Sequence, residues 1–152
     1  METDAVISSS NSSSDKEKNN SQYPKVAVAV AVVHPKRQEV LLVPVTSSSL
    51  TTVPRGDVNY GESVLDAVTR ITKENGGFEL DKISLLGVQE AIFDSEFGSK
   101  EHMHFDMFFA RAKEPLPEGL YKWVNKQQAS ETPMSESTRE ILERCFNELK
   151  RK

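Results

Sequence analysis

A chain of 152 residues with 37% apolar content and a formal charge of −4 has the size of one domain around one core, and no basic excess of the kind that tracks nucleic acid. Its single cysteine excludes an internal disulfide and offers no metal-ligand cluster. No apolar run reaches the length of a membrane span, and the N-terminus lacks the basic end and apolar centre of a secretory signal, so the expectation is a cytoplasmic protein with neither nucleic acid nor a membrane as partner.

Residues 1–22 are rich in Ser, Asn, Asp and Lys and cannot bury enough apolar surface to offset the entropy of ordering them. This stretch reads as a disordered tail, and residues 23–152 as the folded domain. Within that domain, Lys25 to Val33 has the branched and small residues of a buried strand, with Val28, Val30 and Val32 on one face and Ala27, Ala29 and Ala31 on the other. The small face implies that something packs close to it. A turn at His34 to Arg37 leads to a second strand, Glu39 to Val45, and a polar link, Thr46 to Thr52, follows.

Residues 53–78 read as loop, helix, loop. Pro54 and Gly56 punctuate the chain, Ser63 to Asn75 is helix-permissive, and Gly76-Gly77 can supply a left-handed cap. A glycine-bearing loop ahead of a helix N-terminus is a natural phosphate cradle, because free N–H groups and the positive end of the helix dipole point the same way. The helix alone would also pass as an ordinary amphipathic surface helix, with Val64, Val68 and Ile71 on one stripe and Asp66, Arg70 and Glu74 on another.

In register, Gly56, Glu62, Arg70, Glu74, Gly77 and Phe78 resemble the signature of the Nudix hydrolase superfamily: Gly, five residues, Glu, seven residues, then Arg-Glu-U-x-Glu-Glu-x-Gly-U, where U is bulky and apolar. Ile71 and Asn75 stand where that signature has acids, and Thr72 where it has an apolar residue. The resemblance implies an α+β fold, an α/β/α sandwich with a mixed central β-sheet, over most of the chain outside the tail. It further implies Mg2+, or Mn2+, held by Glu62 and Glu74, catalytic roles for Arg70 and Glu74, and a nucleoside diphosphate derivative as small-molecule substrate, contacted by Arg55 and Gly56. Residues three and four apart share a helix face, so positions 71, 74 and 75 are expected to converge beside Glu62.

With two of the signature acids replaced, metal binding is expected to be weak, and Arg70 loses the acid it holds in relatives. Loss of a general base costs about 10^2 to 10^4 in rate against an enzymatic acceleration of about 10^6 or more, which leaves room for a weak enzyme. Two functions remain open: a pyrophosphohydrolase with impaired catalysis, and a non-catalytic nucleotide-binding or regulatory module.

Beyond the helix, strands are expected at Ile83 to Phe93 and Met103 to Arg111, with Glu90 inside the first as an edge or cleft acid. His102, His104 and Asp106 share one side of the second as a substrate- or solvent-facing edge, and Phe105, Met107 and Phe109 share the other as core. Glu96, Glu101, Glu114 and Glu118 are candidates for a supplementary acid. Trp123, in a short strand at Leu120 to Val124, reads as half-buried core or as a base-stacking residue. Thr132 or Ser135 caps a last helix, Ser135 to Lys150, with Ile141, Leu142, Cys145, Phe146 and Leu149 as its apolar stripe.

Overall fold

The computed structural model describes residues 23–46, 48–94 and 98–151. The tail expected at residues 1–22 and the candidate acid Glu96 lie outside the described residues. The strands are β1 (Lys25–Val33), β2 (Val40–Pro44), β3 (Thr51–Thr52), β4 (Arg55–Asp57), β5 (Leu80–Asp94), β6 (Lys100–Ala112) and β7 (Lys122–Val124). The helices are α1 (Val64–Glu74), α2 (Lys126–Ser130) and α3 (Glu136–Lys150). Contacts divide the chain into two compact units. One runs from Val26 to Gln89 and from Phe105 onward; the other takes Glu90–His104 with the described residues up to Lys25.

The strands form a mixed sheet in the order β3-β2-β1-β6-β5, with β4 paired to β1 and β7 to β2. In the larger unit the two faces of β1 are both buried, which explains why its sequence is apolar throughout rather than alternating with polar residues. Val28, Val30 and Val32 pack with Ala67, Val68 and Ile71 of α1 and with Phe78. Ala29, Ala31 and Val33 pack with Met107, Phe109 and the α3 residues Ile141, Leu142, Cys145 and Leu149. The alanine face thus accommodates bulky β6 and α3 side chains, and one helix covers each side of β1.

Two short strands and the helix α2 differ from the sequence expectation. Residues 55–57, read as loop, form β4, antiparallel to β1 with Ala27 opposite Asp57, Val28 opposite Gly56 and Ala29 opposite Arg55. Thr51–Thr52, read as part of a polar link, pairs with Val43 and Pro44 of β2. Both strands are too short for a periodicity to show in the sequence; tertiary pairing makes them. Met107 and Phe109 are core as expected, whereas Phe105 is only half-buried and has the Arg55 guanidinium over its ring.

In the smaller unit, Glu90 and His102 form a pair at 2.7 Å between Oε2 and Nε2. Trp123 packs edge-on against His34 and Phe78, at centroid separations of 5.0 and 5.8 Å, and so belongs to the packed interior. No helix among the described residues is long and apolar enough to cross a membrane.

Candidate functional site

The site is built on β4, the turn that follows it, and α1. Ser63 caps α1, its Oγ accepting the Asp66 N–H at 3.0 Å, and Asn75 closes it, both its backbone N–H and its Nδ2 donating to the Ile71 carbonyl at 3.0 and 2.8 Å. Gly77 follows with φ +81 and donates its N–H to the Lys73 carbonyl at 2.7 Å, the left-handed exit that the double glycine foretold. Thr72, out of pattern in the sequence, is fully buried, and its hydroxyl donates to the Val68 carbonyl at 2.7 Å, so the helix itself satisfies its only polar group.

Arg70 is the hub. Its Nε donates to Glu62 Oε2 at 2.8 Å and its Nη2 to Glu62 Oε1 at 3.0 Å, a two-point pairing, while Nη1 reaches Glu74 Oε1 at 3.2 Å and Nη2 also donates to the Asp57 carbonyl at 2.8 Å. With Ile71 in place of the acid it holds in relatives, Arg70 pairs instead with Glu62 and Glu74. Glu62 Oε1 accepts in addition the Asn59 N–H at 3.0 Å, closing the turn ahead of the helix. The hydrogen bonds from Arg70, and then from Asn59, hold the Glu62 carboxyl below the usual carboxylate range, and the bond to Glu62 in turn raises Arg70.

Positions 71, 74 and 75 do not form one open face. Ile71 is 1% exposed and belongs to the core under α1, while the Glu74 side chain is 60% exposed. A Cβ placed on Gly56 would lie 2.9 Å from Ile71 Cδ1 and 3.1 Å from its Cγ1, so the isoleucine fills the space against this glycine. An alkyl group therefore occupies the ground where the signature places an acid.

Arg55 and Gly56 are consecutive strand residues and point to opposite sides of the sheet. Gly56 faces α1, whereas the Arg55 guanidinium reaches α3, donating from Nη2 to Ser137 Oγ at 3.1 Å and to Thr138 Oγ1 at 3.4 Å. Its carbon Cζ stands 5.3 Å from the Phe105 ring centroid. Burial pulls its pKa below the ordinary arginine value, and its Nε is buried with no hydrogen-bond partner. Residues 55, 105, 137 and 138 were not associated by any sequence signal, since 82 positions separate Arg55 from Ser137.

A model of the NUDIX domain family matches residues 23–145. This chain belongs to the NUDIX family. Among solved structures, the MutT NUDIX hydrolase from Burkholderia pseudomallei is similar at 25% identity, TM-score 0.64, over 80% of this chain and 98% of that one. The NUDIX domain of Shewanella oneidensis NrtR, solved with ADP ribose, is similar at 16% identity, TM-score 0.68, over 84% and 89%. The Ap4A hydrolase of C. elegans is similar at 16% identity, TM-score 0.63, over 84% and 99%. Comparison with curated proteins gives no significant match.

NUDIX hydrolases generally use a divalent metal, typically Mg2+. Mg2+ is commonly held by one or two carboxylates with substrate phosphates completing its shell, and the two acids expected to serve here, Glu62 and Glu74, both lie against Arg70. Glu62 has both oxygens engaged by Arg70; only Glu74 keeps an oxygen clear of a protein donor. Among the described residues no three acid, histidine or cysteine side chains form a metal-holding group, and Glu114, a candidate supplementary acid, pairs with Lys36 at 3.6 Å.

Proposed function

We propose that this NUDIX protein takes nucleoside diphosphate-linked compounds and hydrolyses them weakly or no longer. The observation that carries the reading is Ile71, buried against Gly56 where the family signature has an acid. The fold class and the small nucleotide derivatives named with its structural neighbours, ADP ribose and Ap4A, support the ligand class.

In this reading Gly56 and Arg55 contact the ligand, and Glu62 and Glu74 hold Mg2+ or Mn2+ weakly, because the metal has to compete with the Arg70 guanidinium for the same oxygens. Such an ion, when bound, polarises the diphosphate and acidifies a bound water. Arg70 sets the positions of both carboxylates and neutralises them when no ion is held. Glu74, exposed and with one ionic partner, is the acid best placed to accept a proton from water. A second reading, a nucleotide-binding module without turnover, is favoured by the same buried Ile71.

Calorimetric titration with Mg2+ and Mn2+, joined to a phosphate-release screen over nucleoside diphosphate derivatives, tests the proposal. Weak metal binding that Glu74→Gln abolishes, with slow or absent release, is the expected result. Rapid release that Glu74→Gln leaves untouched would place the chemistry elsewhere.

A further inference from the structure

β5 ends the sheet order on one side, so among the described residues no strand covers its outer edge, where alternate residues direct their backbone N–H and C=O groups outward. Proteins ordinarily blunt such an edge with charges, proline or a covering segment. Within the larger unit, the stretch from Ile83 to Gln89 carries neither a charged residue nor a proline. It offers apolar surface instead: Leu85 is exposed, and Val88 is 49% exposed. A free ladder edge with apolar side chains is the surface that another extended strand recognises, because the incoming backbone completes the hydrogen bonds.

The charges that α3 lays along this edge select the strand. Glu140 Oε1 accepts from Gln89 Nε2 at 2.8 Å, and Glu140 Oε2 accepts from Arg144 Nη2 at 3.0 Å. Arg144 lies over Gly87: a Cβ on that glycine would collide with Arg144 Nη1 and stand 3.3 Å from its Cζ, so the missing side chain gives the guanidinium its seat. An acid is thus held at residue 89 and a base at residue 87, and both side chains stay partly exposed. Consider two copies paired antiparallel about a twofold axis perpendicular to the sheet beside Val88. Gly87 of each then lies opposite Gln89 of the other, which brings Arg144 of each alongside Glu140 of the other. Val88, on the opposite side of the strand, meets Val88 of the second copy. Moving the axis by one residue sets Arg144 against Arg144 or Glu140 against Glu140, so charge as well as pleat favours this one register.

We propose that this chain pairs with a second copy of itself through the outer edge of β5, antiparallel and centred on Val88, with Glu140 and Arg144 of each α3 facing their opposites in the other. The pairing joins two sheets into one and is independent of the ligand read above.

Sedimentation of the full chain at pH 7 and low salt, from about 1 μM to about 1 mM, is expected to show a monomer passing into a dimer. Val88→Lys, at an exposed position, sets like charges face to face and is expected to weaken that dimer about tenfold. Glu140→Arg and Arg144→Glu are each expected to stay monomeric, whereas an equimolar mixture of the two regains the dimer, because every charged contact across the axis is again between opposite signs. In the wild type alone, which needs no variant to fold, the amide NMR signals of residues 87–89 are expected to shift with concentration. A wild type that stays monomeric throughout would overturn the pairing and leave the edge to a strand of another protein. A dimer that leaves those amides unmoved, that Val88→Lys does not weaken, or that the charge variants form as well alone as mixed, would lie elsewhere on the surface and overturn it equally.

Discussion

Replacing Ile71 by glutamate restores an acid to the signature, and the structure predicts what that costs. Ile71 is 1% exposed, packed among Val68, Ala67 and Phe78, with its Cδ1 against the space over Gly56. Removing its alkyl atoms from the core costs about 2–5 kcal/mol, as for other large-to-small core changes, and a charge left there adds to it. Against a total stability of about 5–15 kcal/mol this is a large share, and at about 2–4 °C per kcal/mol for a chain of this size it lowers Tm by roughly 10 °C. Asn75→Glu, at the half-exposed end of α1, forfeits only the Nδ2 bond to the Ile71 carbonyl and adds a charge at the negative helix end, about 1 kcal/mol or so.

Thermal melts at pH 7 separate the two, and acid adds a second check. Burial raises the folded pKa of a glutamate at 71 above the unfolded value of about 4.3, so the charge penalty is absent below that pH and grows as pH rises through the folded value. The stability gap between Ile71→Glu and the neutral Ile71→Gln should therefore be wide at pH 7 and close near pH 4. An Ile71→Glu protein that melts with the wild type at pH 7 would show that position 71 opens onto the cleft, and the reading of a disabled box would fall with it.

Two further outcomes follow from buried titratable groups. Burial, then Arg37, lowers the His34 pKa below 6.5, and its Nδ1 accepts the Lys36 N–H at 3.0 Å, so the unfolded chain takes the proton first. The contribution of His34 is whole above pH 6.5 and is lost as pH falls toward the folded value; denaturant titrations of wild type and His34→Asn should diverge least in acid, and a pH-independent difference would refute this. The Cys145 thiol, fully buried under α3, is pushed up to about 12, so a thiol reagent at pH 8 should react with the native protein only as fast as that helix opens, and at once in denaturant. A fast native phase would place Cys145 at the surface.

The long elements were legible because their patterns repeat. β1 matches its expected bounds, α1 lies within the helix-permissive stretch expected from Ser63 to Asn75, and α3 is capped by Ser135, one of two expected caps. The short pieces were not: β3 and β4 have only two and three residues and owe their form to pairing with β2 and β1. The signal for α2 was present and unread, since Asn125 and Gln128 stand at the spacing of a capping box and form one.

At the site, the register of the signature placed Arg70, Glu62 and Glu74 within reach of one another. Spacing could not tell which way residue 71 turns, because helix periodicity gives an angle and not the identity of the neighbour it meets. Nor could it show that Arg70 would bind both remaining acids, or that Arg55 would find its partners on the last helix. The last is a contact between segments 82 positions apart, decided by packing.

The alternation along β4 has one more consequence. Residues 55 and 56 are joined by a single peptide bond, yet the first answers to the C-terminal helix and the second to the helix of the signature. A substitution at either position can thus alter the packing against one helix without reaching the other. A deletion of one residue ahead of this strand would exchange the two addresses and spoil both.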